Sequence, residues 1–192
     1  MLVSWDLAPW RKPGADQAAA SKLALFEEVV LPHLNAAHNL ARWLMGNAPD
    51  AQDAVQEAYL RAFRYFAGYQ GGDSKAWLLE IVRNTCRTWL SRRSRGEPHE
   101  PFDEMSHTGD RLTPDPEQAL AGRERMGILR RCIENLPAEF REVLVLRELE
   151  EMPYREIASV TGLAIGTVMS RLSRARQRLA DCAAKSNLEV AP

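Results

Sequence analysis

The 192-residue chain is poor in the residues that metal and redox chemistry need. Its three cysteines, Cys86, Cys132 and Cys182, stand far apart with no CxxC, and only four histidines accompany them, so neither a disulfide framework nor a zinc-ligand spacing is visible. No metal, cofactor or redox chemistry is expected, and His33 and His38 read as surface or helix-packing residues. Long apolar runs are missing too. Nothing approaches the roughly 18 residues of a membrane span, and the first residues lack the basic start and apolar stretch of a signal peptide. The expectation is a cytoplasmic protein with no direct membrane insertion. Period-two alternation is absent, so no strand is predicted. There is no P-loop, no pair of metal carboxylates and no nucleophile motif, and the chain is not expected to be an enzyme.

What is present is helical periodicity and an uneven distribution of charge. The net charge is only −1, yet residues 97–121 carry seven acids against one base, together with four prolines and no sustained apolar period. That stretch reads as a solvated acidic linker. It divides the chain into an N-terminal extension 1–21 containing Trp5 and Trp10, a helical domain 22–96, the linker 97–121, a second helical domain 122–184 and a tail 185–192. The predicted class is all-α, two small helical domains joined by a flexible linker.

In the first domain, Phe26, Val30, Leu34, Ala37, Ala41 and Leu44 recur at three and four residues, with Pro32 expected to break the helix and Gly46 to end it. Asp50 is a good N-cap for the next helix, whose buried stripe is Ala51, Ala54, Val55, Ala58, Ala62 and Phe63. Asp53, Gln56, Glu57, Arg61 and Arg64 fall on its other side. After a turn at Gly68, Gly71 and Gly72, a third helix starts near Ser74 and buries Trp77, Leu78, Ile81, Thr85 and Trp89. Its far end holds Arg83, Arg87, Arg92, Arg93 and Arg95 without an acid among them, which suits capture of a phosphate backbone.

The second domain has shorter pieces: a helix through Met126, Leu129, Ile133 and Leu136 that Pro137 stops, then one from Phe140 to about Leu149. Pro153 can open a short helix to Thr161, Gly162 and Leu163 make a tight turn, and a last helix runs from about Ile165 to Ala184. This is a helix-turn-helix pattern. In the last helix Val168, Leu172, Ala175 and Leu179 form the inward stripe, leaving Thr167, Ser170, Arg171, Arg174 and Arg178 on the opposite side, with Ser173 close by. Hydroxyls approach base edges closely, and arginine grips guanine in a bidentate pair or neutralises phosphate.

Four segments carry a resemblance: DAQDAVQEAYLRAF at 50–63, AWLLEIVRN at 76–84, LPAEFREVL at 136–144 and GTVMSRLSRAR at 166–176. In this order they resemble the extracytoplasmic-function (ECF) sigma factors of bacterial RNA polymerase, over roughly residues 22–182. The resemblance implies a factor that binds the polymerase core and directs promoter-specific initiation. It implies that Asp53, Gln56, Glu57 and Arg61 dock on the β′ coiled coil. Tyr69, Asn84, Arg87, Arg92 and Arg93 would then open and hold the minus-ten element. Thr167, Ser170, Arg171, Ser173, Arg174 and Arg178 would read the minus-thirty-five element while their domain sits on the β flap. It also implies an anti-sigma factor as a further partner of a chain that is a monomer when free. Met169 departs from the family pattern, where Lys or Arg is common. Two other readings stand beside this one: a helix-turn-helix regulator acting by DNA binding alone, and a sigma mimic that sequesters an anti-sigma factor. The arginines count against the mimic, which has no bases to read.

Overall fold

The computed structural model describes residues 15–95 and 116–186. The extension with Trp5 and Trp10, residues 96–115 of the acidic stretch, and the tail from residue 187 lie outside the described residues. Eight α-helices occupy the described residues, with no strand among them.

Helix α1 (Ala15–Val30) stops at a 3-10 turn, Leu31–His33, because Pro32 has no amide to donate, and α2 (Leu34–Met45) follows. Gly46, at φ 79°, closes α2 in the left-handed conformation that glycine adopts without strain. The cap of α3 (Ala48–Tyr65) is not Asp50, as the sequence suggested, but Asn47. The Asn47 Oδ1 accepts from the Asp50 amide at 2.9 Å while its Nδ2 donates to Asp50 Oδ2 at 2.7 Å, so Asp50 sits in the first turn as the partner of the cap. Helix α4 (Ser74–Ser94) is capped by Asp73, which accepts from the Ala76 amide at 3.0 Å.

The second half opens with α5 (Pro116–Glu134), which begins inside the stretch the sequence assigned to the linker. Proline suits a first turn, so Pro116 does not oppose a helix start there. Helix α6 (Ala138–Leu144) runs into one π-helical turn, Val145–Leu149, and Glu151, at φ 57°, then reverses the chain. Pro153 does not enter α7 (Tyr154–Thr161). It precedes it in extended conformation at ψ 152°. Gly162, at φ 68°, turns the chain into α8 (Ile165–Lys185).

Helices α2, α3 and α4 pack on one another, and α5, α6 and α7 surround α8. The alanine stripe of α3, Ala51, Ala54, Ala58 and Ala62, is fully buried and lets its neighbours approach closely. Phe26 meets Phe63 and Phe66 edge to face at 5.2 and 5.3 Å. Leu40, Leu78 and Leu79 are completely enclosed, and truncating any of them to alanine should remove about 2 to 5 kcal/mol. Trp77 and Trp89 are half-buried and pack against this core.

Two features were not foreseen. Cys132 of α5 and Cys182 of α8 form a disulfide, although no pairing was expected from their spacing of 50 residues. The two halves also pack directly, α4 on α7 and α2 on α6, and one apolar cluster runs from Phe26 and Leu79 to Val143, Ile157 and Leu172.

Candidate nucleic-acid and protein interfaces

Along α8, at 100° per residue, the buried Val168, Leu172, Ala175 and Ala183 define the inner face. The outer face centres on Ser170, Ser173, Arg174 and Gln177, all exposed. Arg174 has no ion pair among the described residues. Arg171 and Thr167 lie on the flank and are half-buried, and Ser170 Oγ donates back to the Thr167 carbonyl at 3.0 Å. Arg178 leans over the Phe140 ring at 5.2 Å, a cation–π contact that directs it along α6. Sequence reasoning missed two neighbours. Gln177, one turn beyond Ser173, donates to Asp181 at 2.9 Å, and Arg176 is held by Glu148 at 2.6 Å. Met169, which departs from the family pattern, is 52% exposed. With Tyr154 and Ala180 these side chains and Ser173 line an open groove of about 480 Å³. Continuing the helical wheel around its outer face would have found Gln177.

On α4, Asn84, Arg87 and Arg92 are exposed. Arg93 is committed to Asp50 of α3 at 2.6 Å. Tyr69 is half-buried, its ring stacked on Phe66 at 5.9 Å and tilted against Trp77 at 5.0 Å, while its hydroxyl donates to the Gly72 carbonyl at 2.7 Å. It therefore shapes the turn before α4. Arg83, grouped by sequence with the solvent-facing arginines, is instead buried against Glu142 of α6. The reason is a carboxylate 59 positions away that no local pattern reveals.

On α3, Gln56 is exposed, and Asp53, Glu57 and Arg61 are half-buried. Glu57 is an internal brace: one oxygen takes the Arg61 guanidinium, the other accepts from Trp89 Nε1 at 2.5 Å. Partial burial pushes Glu57 up, but the Trp89 and Arg61 hydrogen bonds and the charges of Arg61 and Arg92 outweigh it and hold the carboxyl below its ordinary value. His33 packs between helices as expected, its Nε2 2.9 Å from Ser74 Oγ.

Two basic helix faces thus sit on two helical units, the second ending in a helix-turn-helix. The sigma-70 region 2 family model matches residues 29–96, and the sigma-70 region 4 model matches residues 126–179. The ECF RNA polymerase sigma factor SigE of Mycolicibacterium smegmatis is 35% identical over 179 residues, covering 92% of this chain and 67% of that protein. The chain belongs to the ECF sigma factors. The RNA polymerase sigma-H factor of Pseudomonas aeruginosa is 32% identical over 80% of this sigma factor and 83% of its own length. The sigma-E factor of Escherichia coli K12 is 34% identical over 68% and 72%. Among solved structures, the sigma factor RpoE in complex with the anti-sigma factor NepR from Bartonella quintana superposes with a TM-score of 0.66 at 26% identity, over 83% of this chain and 96% of that one. CnrH, solved with the cytosolic domain of CnrY, has the same fold, with a TM-score of 0.61 at 24% identity over 89% and 95%.

The sigma factor binds core RNA polymerase and promoter DNA and directs initiation. Among its described residues no helix is long and apolar enough to cross a membrane, and no three metal-ligating side chains cluster.

Proposed function

We propose that the two domains divide promoter recognition between α4 and α8. On α4, Asn84 contacts an unstacked minus-ten base, while Arg87 and Arg92 neutralise the backbone; Tyr69 acts by fixing the turn in front of them. On α8, Ser170, Ser173 and Arg174 enter the major groove of the minus-thirty-five element, flanked by Thr167 and Arg171, and Arg178 reaches phosphate. On α3, Asp53, Gln56, Glu57 and Arg61 present the surface for the β′ coiled coil, and the second domain docks on the β flap. The protein works in the cytoplasm, free as a monomer, and leaves polymerisation chemistry to the core. An anti-sigma factor holds it inactive, a reading supported by the fold it shares with a sigma factor solved in complex with one.

The observation that carries this reading is the exposure of Asn84 and Arg87 on one unit and of Ser170 and Arg174 on the other. Permanganate footprinting of holoenzyme on a promoter tests it. Asn84→Ala should reduce strand opening more than polymerase association, and normal opening by that variant would remove Asn84 from the base contact.

A further inference from the structure

Of the arginines on α4, Arg83 is buried, 6% exposed, where Arg87, Arg92 and Arg93 are open to solvent. Its Nε and Nη2 reach the two carboxylate oxygens of Glu142 at 2.6 and 3.4 Å, and its Nη1 lies 3.4 Å from Asn84 Oδ1. Two turns earlier, Lys75 donates to the Glu150 carbonyl at 2.7 Å and meets its carboxylate at 3.1 Å, which also accepts from Asn39 of α2 at 3.2 Å. Two acids of the second domain thus neutralise two cations of the helix assigned to the minus-ten strand. The two-pronged grip of guanidinium on carboxylate is also its grip on phosphate.

The closed arrangement conflicts with promoter binding. Elements named minus-ten and minus-thirty-five lie on the order of 80 Å apart at 3.4 Å per base pair, whereas a compact chain of this length is about 40 Å across. A chain that holds both elements must separate its domains, which exposes Arg83 beside Asn84.

We propose that Arg83 is a switch residue. In the free chain it pairs with Glu142 and holds the domains closed; in the promoter complex the same guanidinium takes a backbone phosphate beside Asn84, the position that Glu142 mimics. This rests on the reading of α4 as the minus-ten helix. Removing one partner of a buried pair leaves an uncompensated buried charge, which is strongly unfavourable. For Glu142→Gln that strain is relieved by opening, which hydrates Arg83 and frees it for DNA. Arg83→Gln opens the chain equally but removes the cation.

The test uses the full chain with a fluorescent donor on one domain and an acceptor on the other, titrated with short randomised single-stranded DNA. Glu142→Gln should lower energy transfer in the free protein and bind the DNA about tenfold more tightly than wild type, because the closed fraction no longer competes. Arg83→Gln should also lower energy transfer but bind more weakly than Glu142→Gln, with a log–log salt slope shallower by about 0.7. Arg83→Lys, which keeps the charge opposite Glu142 and loses the fork, should lower energy transfer less than Arg83→Gln does and preserve the slope. Wild-type energy transfer and affinity in Glu142→Gln would overturn the proposal, as would an Arg83→Gln slope equal to that of Glu142→Gln. Arg87→Ala separates the two layers. If its slope falls while that of Arg83→Gln does not, the switch alone fails; if its slope is that of wild type, the α4 reading fails and the switch with it.

Discussion

Trp89 of α4 donates its indole N–H to Glu57 of α3 at 2.5 Å, and the same carboxylate takes Arg61 one turn along its own helix. A residue expected to be a free docking contact is therefore also part of what fastens α3 to α4. The consequences of mutating the α3 face differ from one position to the next.

Gln56→Arg changes an exposed side chain and should weaken binding to core polymerase while leaving thermal stability within about 0.5 kcal/mol of wild type. Glu57→Arg should lower both. Gel filtration with purified core and a melting curve separate the two effects, and an unchanged melting curve for Glu57→Arg would show that the Trp89 bond adds nothing to stability.

Glu57 also gives a pH signature. Its folded-state pKa is depressed below the ordinary 4.5, so its stabilising contribution is fully present above that value and is lost as pH falls through the folded pKa. Denaturant unfolding from neutral pH downward should show the wild type losing an increment below pH 4.5 that Glu57→Gln lacks.

Glu156 of α7 runs in the opposite direction. Burial raises its pKa, and the hydrogen bond and charge of Asp73 raise it further, against the opposing charge of Lys75. A carboxyl raised in this way supports the packed state while protonated and loses that support as pH rises through its folded-state pKa. Glu156→Gln should therefore tighten the contact between α7 and the start of α4 at neutral pH, read as higher energy transfer between labelled domains. Asp73 is unsuitable for this test because it also caps α4.

The disulfide Cys132–Cys182 closes a loop of 50 residues. The chain-entropy relation assigns such a cross-link about 4 kcal/mol. Adding reductant, or the change Cys182→Ser, should lower the unfolding midpoint of the second domain accordingly; identical denaturation curves with and without reductant would rule out that stabilisation.

On α8, Arg174 is exposed and unpaired among the described residues, whereas Arg178 rests on Phe140. Arg174→Ala should cost about 1 to 3 kcal/mol at one base pair of the minus-thirty-five element and relax preference there. Arg178→Ala should weaken all promoter variants alike. Competition among promoter variants at fixed salt, scored with holoenzyme, reads both. A merely scaled-down profile for Arg174→Ala would place it on the backbone.

Periodicity made the helices legible. The buried positions Val168, Leu172 and Ala175 follow directly from their spacing, as do Pro32 as a break and Gly46 and Gly162 as stops. Capping was harder to read, since Asn47 and Asp50 are both good caps and only the path of the backbone chooses between them. Long-range partners were not legible. Arg83 looks like its solvent-facing neighbours until Glu142 is brought against it, and Cys132 gives no sign of Cys182. The inner face of α8 could be read from sequence because it is set by the helix's own geometry, whereas α4 is packed from two sides: Trp77, Ile81 and Trp89, expected inside, are half-buried, and Leu79, Val82 and Cys86 are buried beside Leu78 and Thr85. Closure of the two domains depends on contacts between segments that no local pattern relates.

Run-off transcription tests promoter-directed initiation most directly. Purified core polymerase with this protein, offered a library of randomised minus-ten and minus-thirty-five elements at fixed spacing, should produce transcripts from a narrow subset sharing one sequence in each element. Core with Asn84→Ala should lose selection at the minus-ten element, and core with Arg174→Ala should lose it at one minus-thirty-five position. Transcripts no more abundant or selective than those of core polymerase alone would contradict the account.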